Sequence, residues 1–311
     1  MKNKLVTLIG GGGFVGRYAA RALLTSGARL RIAQRDPRQA WFLRTQGGLG
    51  QTQFVGADIT RPETVAHAVA GSDIVVNLVG VLTGDFQRFH VDGARTVAEA
   101  AAAAGAETLV HVSAIGADAN SRSAYGRSKG EGEAAVRAAF ASAIVLRPSV
   151  VFGREDGFSN RFAGMIATSP VVPILRAETR FQPVFAGDVG EAIAMAASDP
   201  RRFGGRTLEL GGPDILSMRE LHRFLADTLH RSPNFIELPD AVGALLAKLP
   251  GTPITNDQWL MLQKDNVVAD SVDGLEALGI QPTPMTAVAA EWLVRYRKKG
   301  RFARRTLEHG L

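Results

Sequence analysis

Tyr125 and Lys129 stand four residues apart in Tyr125-Gly126-Arg127-Ser128-Lys129. On a helix that spacing puts them one above the other on a single face. An ammonium beside a phenol stabilises the phenolate, which makes the tyrosine a usable acid or base near neutral pH. The same lysine can hydrogen-bond a ribose. Alone the pair is a common accident, and its weight comes from what precedes it. Leu5 to Ile9 is a short apolar run that leads into Gly10-x-x-Gly13-x-x-Gly16. Val15, Ala19, Ala22 and Leu23 then recur at helical spacing, and Gly27 supplies a C-cap. A strand running through glycines into a helix presents unpaired first-turn N–H groups, at the positive end of the helix dipole, to an anion. Without Cβ atoms the turn is tight and a diphosphate can reach the backbone. Gly10, Gly13 and Gly16, with Phe14, Val15 and Arg17 beside them, are therefore candidate nucleotide-binding residues.

These residues need a scaffold, and the hydrophobic pattern predicts one. Strands are expected at Leu5–Ile9, Arg29–Ala33, Thr52–Gly56, Ile74–Leu78, Thr108–Val112 and Ala143–Leu146. Helices are expected between them, including an Ala-rich one over about Val91–Ala104 and another over Tyr125–Ala141. Thr60-x-x-Glu63 reads as a capping box opening a helix that ends near Ala70. This β–α alternation predicts an α/β fold, a doubly wound parallel (Rossmann) sheet with right-handed crossovers. Residues 1–150 form the expected dinucleotide-binding domain. Residues 151–311 form the expected C-terminal cap region, part of which packs back on the sheet, the rest being a smaller, mostly helical cap.

The end of the second strand reads Gln34-Arg35-Asp36-Pro37. In such folds an acid here binds the adenosine ribose of NAD, whereas an Arg accommodates the 2′-phosphate of NADP. Asp36 before Pro37 is a good N-cap, which leaves Gln34 and Arg35 to face the ribose. NADP(H) is expected over NAD(H). Asp58 and Ile59, just past the third strand, are candidates for the adenine. Leu78, Val79 and Gly80, after the fourth strand, and Pro148, at the end of the sixth, are candidates to flank the cofactor.

In the cap region, Ser217-x-x-Glu220 is a second capping box. Pro239 to Leu249 sets Val242, Leu245, Leu246 and Leu249 on one side, and Trp259 to Leu262 looks exposed. Met285 to Arg297 reads as a helix whose first two turns pack on the body.

Composition narrows the function classes. The chain has 311 residues, 46% hydrophobic, and no cysteine, so disulfide and thiol chemistry are excluded. Its six histidines show no metal-ligand spacing, so no metal is expected. No apolar run approaches the roughly 18 residues of a membrane span. The net charge is +6, yet Arg295 to Arg305 holds seven basic residues and no acid, which leaves the rest at −1. A basic surplus confined to 295–305, with no basic recognition helix, argues against nucleic acid as a partner. With Trp292, Tyr296 and Phe302 nearby, the run suits an anionic membrane surface.

The glycine pattern, Ser113 and Tyr125-x-x-x-Lys129 resemble the short-chain dehydrogenase/reductase superfamily in its extended or atypical branch. Leu146-Arg147-Pro148-Ser149-Val150-Val151-Phe152-Gly153-Arg154-Glu155-Asp156, Gln182-Pro183-Val184-Phe185 and Leu278-Gly279-Ile280-Gln281-Pro282-Thr283-Pro284 are similar to the group containing the accessory NAD(P)H-binding subunit of respiratory complex I and its bacterial relatives. The resemblance covers nearly the whole chain. It implies a bound NAD(P)H that is structural rather than turned over, and complex I or a quinone-related assembly as partner; the composition reads as that of a cytoplasmic protein, and the basic tail fits a peripheral place on the cytoplasmic face of the inner membrane. It also implies an alternative, an active NADP(H)-dependent reductase, dehydrogenase or sugar-nucleotide epimerase using Tyr125, Lys129 and Ser113. Ser113 is the lone hydroxyl in Val112-Ser113-Ala114-Ile115-Gly116 and stands a residue or two early for that catalytic part.

Overall fold

The computed structural model describes residues 1–249, 251–252 and 254–298. Strands β1 (Leu5–Ile9), β2 (Arg29–Gln34), β3 (Thr52–Gly56), β4 (Ile74–Asn77), β5 (Thr108–Val112) and β6 (Ile144–Pro148) alternate with helices α1 (Phe14–Thr25), α2 (Pro62–Val69), α3 (Gly93–Ala103) and α4 (Ala124–Ala139). A 3₁₀ stretch, Pro37–Gln46, joins β2 to β3. The chain continues through β7 (Val151–Phe152), α5 (Ser159–Thr168), β8 (Val171–Leu175), β9 (Arg180–Phe181), β10 (Val184–Phe185), α6 (Ala186–Ser198), α7 (Pro200–Phe203) and β11 (Thr207–Leu210). It ends with β12 (Leu216–Ser217), α8 (Met218–Leu229), β13 (Asn234–Leu238), α9 (Asp240–Leu246), α10 (Asn256–Met261), α11 (Met285–Val288) and α12 (Ala290–Leu293).

Seven parallel strands form the main sheet in the order β11-β6-β5-β4-β1-β2-β3. The order reverses between β1 and β4, and the crevice at such a switch point is where doubly wound sheets bind ligands. The strands are apolar on both faces because both are covered. Leu8, Ile32 and Leu146 meet Ala19 and Leu23 of α1 and Val189 and Ile193 of α6. Ile9, Val75 and Leu109 meet Val65, Val97 and Val136 on the other face. Gly190 lets α6 approach α1: a Cβ there would lie 2.6 Å from the Tyr18 backbone. α6 and β11 thus return the chain to the sheet after β6. A third core, with Phe152, Ile174, Phe181, Leu221, Leu225 and Trp292, fills the cap region.

Several sequence expectations are corrected here. Thr60 does not cap α2. Pro62 takes the first helical position, Arg61 becomes the N-cap, and Thr60 is drawn to Asp58 instead. The Ser217–Glu220 capping box forms in full. Trp259, expected to be exposed, is 5% exposed, whereas Leu245 is 60% exposed and Val242 and Leu249 also face out. Gly243 is the reason: it brings α9 against the Trp259 ring, which a Cβ would meet at 2.5 Å. The C-terminal helix is broken into α11, α12 and a 3₁₀ turn. It packs beyond two turns, with Trp292 and Leu293 in the cap core and Tyr296 against it. Asp188, buried in α6, accepts the N–H and hydroxyl of Thr283 at 2.7 and 2.8 Å and so pins the Pro-Thr-Pro segment to the body. Lys299 to Arg305, most of the basic run, lies outside the described residues.

Candidate nucleotide site

The glycine turn opens with Gly10 at φ +80°, a conformation that favours glycine. A Cβ on Gly16 would lie 2.3 Å from the Gly11 carbonyl oxygen, so the turn closes on α1 only with glycine there. Gly13 is the N-cap of α1. It offers no side-chain cap, and no acid stands in the first turn, where Phe14, Val15 and Arg17 follow. The first N–H groups of α1 are therefore free of side-chain capping, and a diphosphate matches both their donors and the dipole. The residues present fit a dinucleotide.

At the end of β2, Asp36 caps the 3₁₀ stretch through the Arg38 N–H (3.1 Å) and is chelated by the Arg38 guanidinium at 3.0 and 3.2 Å. That pairing holds its carboxyl below the usual range. Gln34 folds back over Gly12 and donates to the Asp36 carbonyl at 2.7 Å. Arg35 is exposed. Asp58 accepts the Thr60 N–H and hydroxyl at 2.9 and 2.8 Å, and these bonds keep its carboxyl low. Ile59 is buried with its side chain against Gly93, so it belongs to the core. Arg17 pairs with Glu155 at 3.1 Å and lies over the Phe42 ring. Glu155 also accepts the Tyr18 hydroxyl at 3.0 Å, so the Phe-Gly-Arg-Glu-Asp segment is fastened to α1.

Beyond β4, Asn77 Oδ1 accepts the Val79 N–H at 3.1 Å and turns the chain, while the Leu78 N–H donates to the Ile9 carbonyl. Val79 sits over Gly10, and Gly80 lies near His90 and Lys129. Pro148 is buried, and its carbonyl accepts the Ile115 N–H at 3.0 Å. Ser113 follows directly on β5 and is buried; its hydroxyl has no hydrogen-bond partner among the described residues.

Tyr125 and Lys129 both lie on α4. Lys129 Nζ donates to the Val112 carbonyl at 3.0 Å. Burial pulls its pKa down to about 8, against the opposing charge of Glu133. Burial alone pushes the Tyr125 phenol up to about 12. The tyrosine ring packs edge-on against Phe86 and His90.

His90 had no signal in the sequence. It sits on a π-helical turn, Gln87–Asp92, that precedes α3, where the Ala-rich helix was expected to begin directly. Such turns gather at functional sites. His90 Nε2 accepts the Val81 N–H at 3.0 Å, so Nδ1 carries the proton to Ser128 Oγ at 2.9 Å. Burial first, then Lys129, lowers its pKa to about 4. His111, fully buried and also held neutral, contacts Asn77 at 3.3 Å.

Residues 6–211 match the NAD dependent epimerase/dehydratase family. The chain belongs to this family. This epimerase/dehydratase-family chain is 35% identical over 307 residues to mouse mitochondrial NADH dehydrogenase [ubiquinone] 1 alpha subcomplex subunit 9, covering 94% of the chain and 80% of the relative. It is also 30% identical over 296 residues to the ceramide reductase of Caulobacter vibrioides, covering 92% and 88%. It shares the fold of an NADPH-dependent quinone oxidoreductase from Escherichia coli, solved with NADPH (TM-score 0.75, 20% identity, 93% and 99% covered). The family and the glycine cradle together indicate a nicotinamide dinucleotide as cofactor.

Proposed function

We propose that this protein binds NADP(H) in preference to NAD(H) and holds it as a structural or regulatory group, as part of, or beside, a respiratory assembly related to complex I and quinone metabolism. The observation behind the held-nucleotide reading is that Lys129 Nζ gives one hydrogen bond to the Val112 carbonyl while burial pushes the Tyr125 phenol up. The NADP(H) preference is supported by Asp36, the acid at the end of β2, which is engaged by Arg38, while Arg35 is exposed beside it. The partner reading is supported by the similarity to the mouse complex I subunit over 94% of the chain.

The test is the nucleotide that copurifies. It is expected to be NADP(H), and bound NADPH is expected to stay reduced when ketones, quinones and sugar nucleotides are added. Stereospecific oxidation by one of them, abolished by Tyr125→Phe while binding persists, overturns the held-nucleotide reading. That outcome would establish the second reading, an NADP(H)-dependent reductase, which the 30% identity to a ceramide reductase favours.

Among the described residues no helix is long and apolar enough to cross a membrane. Attachment to the cytoplasmic face of the inner membrane would fall to the basic run. Trp292 is buried and Arg295 is bonded to Asn160, so the later cations would carry it. Salt-sensitive binding to anionic liposomes, lost on truncation after Val294, is the expected result. Equal sedimentation of intact and truncated protein removes this attachment.

A further inference from the structure

The helix that carries Tyr125 and Lys129 is held at its first turn by a residue from the far end of the chain. Asp257, in α10, accepts the Ala124 N–H on Oδ1 at 2.5 Å. Its Oδ2 accepts the Tyr125 N–H at 3.1 Å and the Ser123 hydroxyl at 3.0 Å. Ser123 Oγ in turn accepts the Gly126 N–H at 3.2 Å. The first three N–H groups of α4 are thus met by a carboxylate and the hydroxyl it orients, at the positive end of the helix dipole.

Asp257 belongs to a lobe with its own small core. Trp259, Ala247 and Ile254 cluster with Leu175 in a small core that meets the larger core of the cap through Leu262. α10 opens with a full capping box between Thr255 and Gln258, and Asp257 stands in its first turn. The family match ends at residue 211, so this contact comes from a part of the chain that the match does not include.

We infer that Asp257 is a positioning residue that ties the 240–262 lobe to the first turn of α4, so that release of the lobe and loosening of the Tyr125 backbone are one event. Satellite cores with few buried contacts open at lower free energy than the sheet. The lobe therefore opens more readily than the sheet, and Asp257 passes that movement to the site. The effect on Tyr125 runs through its backbone N–H and the Ser123 hydroxyl; Asp257 touches no reacting group. This inference does not depend on the identity of the nucleotide.

The test is residue-resolved amide hydrogen exchange on the full chain without nucleotide, in the parent, Asp257→Ala and Asp257→Asn. In Asp257→Ala the amides of Ala124 and Tyr125 and those of residues 256–262 are expected to exchange at least about tenfold faster together. The amides of β1, β4, β5 and β6 are expected to keep parental protection. Asp257→Asn retains one acceptor oxygen and should restore part of the protection; it carries the test if the alanine variant does not fold. The Tyr125 ring resonances should move as well, because the ring lies edge-on to Phe86 and His90. Parental protection at Ala124 and Tyr125 overturns the inference. So does a loss confined to α4 with residues 256–262 unchanged, and so does equal loss across the sheet strands in both variants.

Discussion

Gly13→Ala and Gly16→Ala should separate binding from folding. Gly13 has φ −74° and ψ −175°, a conformation open to any residue. An added Cβ there would meet only the Gly10 carbonyl oxygen at 3.2 Å. Alanine is a poorer N-cap than glycine by roughly 0.5–1 kcal/mol. Loss of unfolded-state freedom offsets this by roughly 0.4–1 kcal/mol. The Tm of Gly13→Ala should therefore lie within about 2 °C of the parent. Binding is another matter, because the methyl stands where a diphosphate would approach the first turn of α1. One charge-assisted hydrogen bond is worth roughly 1.5–3 kcal/mol. Its loss raises Kd by roughly tenfold to a hundredfold. Gly16→Ala differs: its Cβ would lie 2.3 Å from a backbone oxygen. Such overpacking costs roughly 1–3 kcal/mol or more and should lower Tm even without ligand. Thermal scanning of the nucleotide-free proteins and NADPH fluorescence titration read the two effects. A Gly13→Ala protein that binds NADPH with parental affinity would refute the placement of the diphosphate.

Arg35→Ala should remove most of the preference for NADPH over NADH with little change in Tm, and equal parental affinities for the two nucleotides, by titration, would rule out its reading of the 2′-phosphate. Arg147→Met should lower stability by roughly 3–5 kcal/mol in urea unfolding, because Glu133 and Glu209 are buried and Arg147 bonds both, Glu133 at 2.9 and 2.7 Å. Lys129 should make stability rise with pH. Its pKa is near 8 when folded and 10.5 when unfolded, so between those values the unfolded chain binds more protons, and unfolding becomes harder as pH climbs through that window. Below about pH 8 both forms are protonated and the effect is flat. Lys129→Met should abolish the rise between about pH 7.5 and about pH 9.5, as measured by urea unfolding.

The sheet was legible because its strands are apolar runs between turn residues; β1, β3 and β5 end where the pattern ends. Side-chain detail was legible only where its partners are local. Asp36–Pro37 and Ser217–Glu220 cap as expected, since each closes within three residues. Thr60–Glu63 has the same pattern and fails, because Asp58 competes for Thr60 from two residues away. Which face of α9 is buried was not legible, because helical spacing defines a stripe without saying where it points; Gly243, by admitting the Trp259 ring, decides it. His90 and Asp257 were illegible for another reason. Their partners lie 38 residues away at Ser128 and more than 130 away at the start of α4, and no local pattern encodes such meetings.

The same distinction governs how the Tyr125–Lys129 pair is read. The spacing is correct for a tyrosine base, and spacing was all the sequence offered. A base working near neutral pH would need the phenol lowered from about 12 by about five units, roughly 7 kcal/mol. A single ammonium within about 4–6 Å supplies roughly one to three units. His90 cannot make up the difference, because burial and Lys129 keep it neutral. Retention, as proposed above, would use the α1 N-terminus, which has no side-chain cap, for the diphosphate, the buried amine near Gly80 for a ribose, and the aromatic wall of Phe86, His90 and Tyr125. Proton abstraction by Tyr125 would need the raised phenol pKa brought down, whereas proton donation and the retention of a nucleotide need no such change.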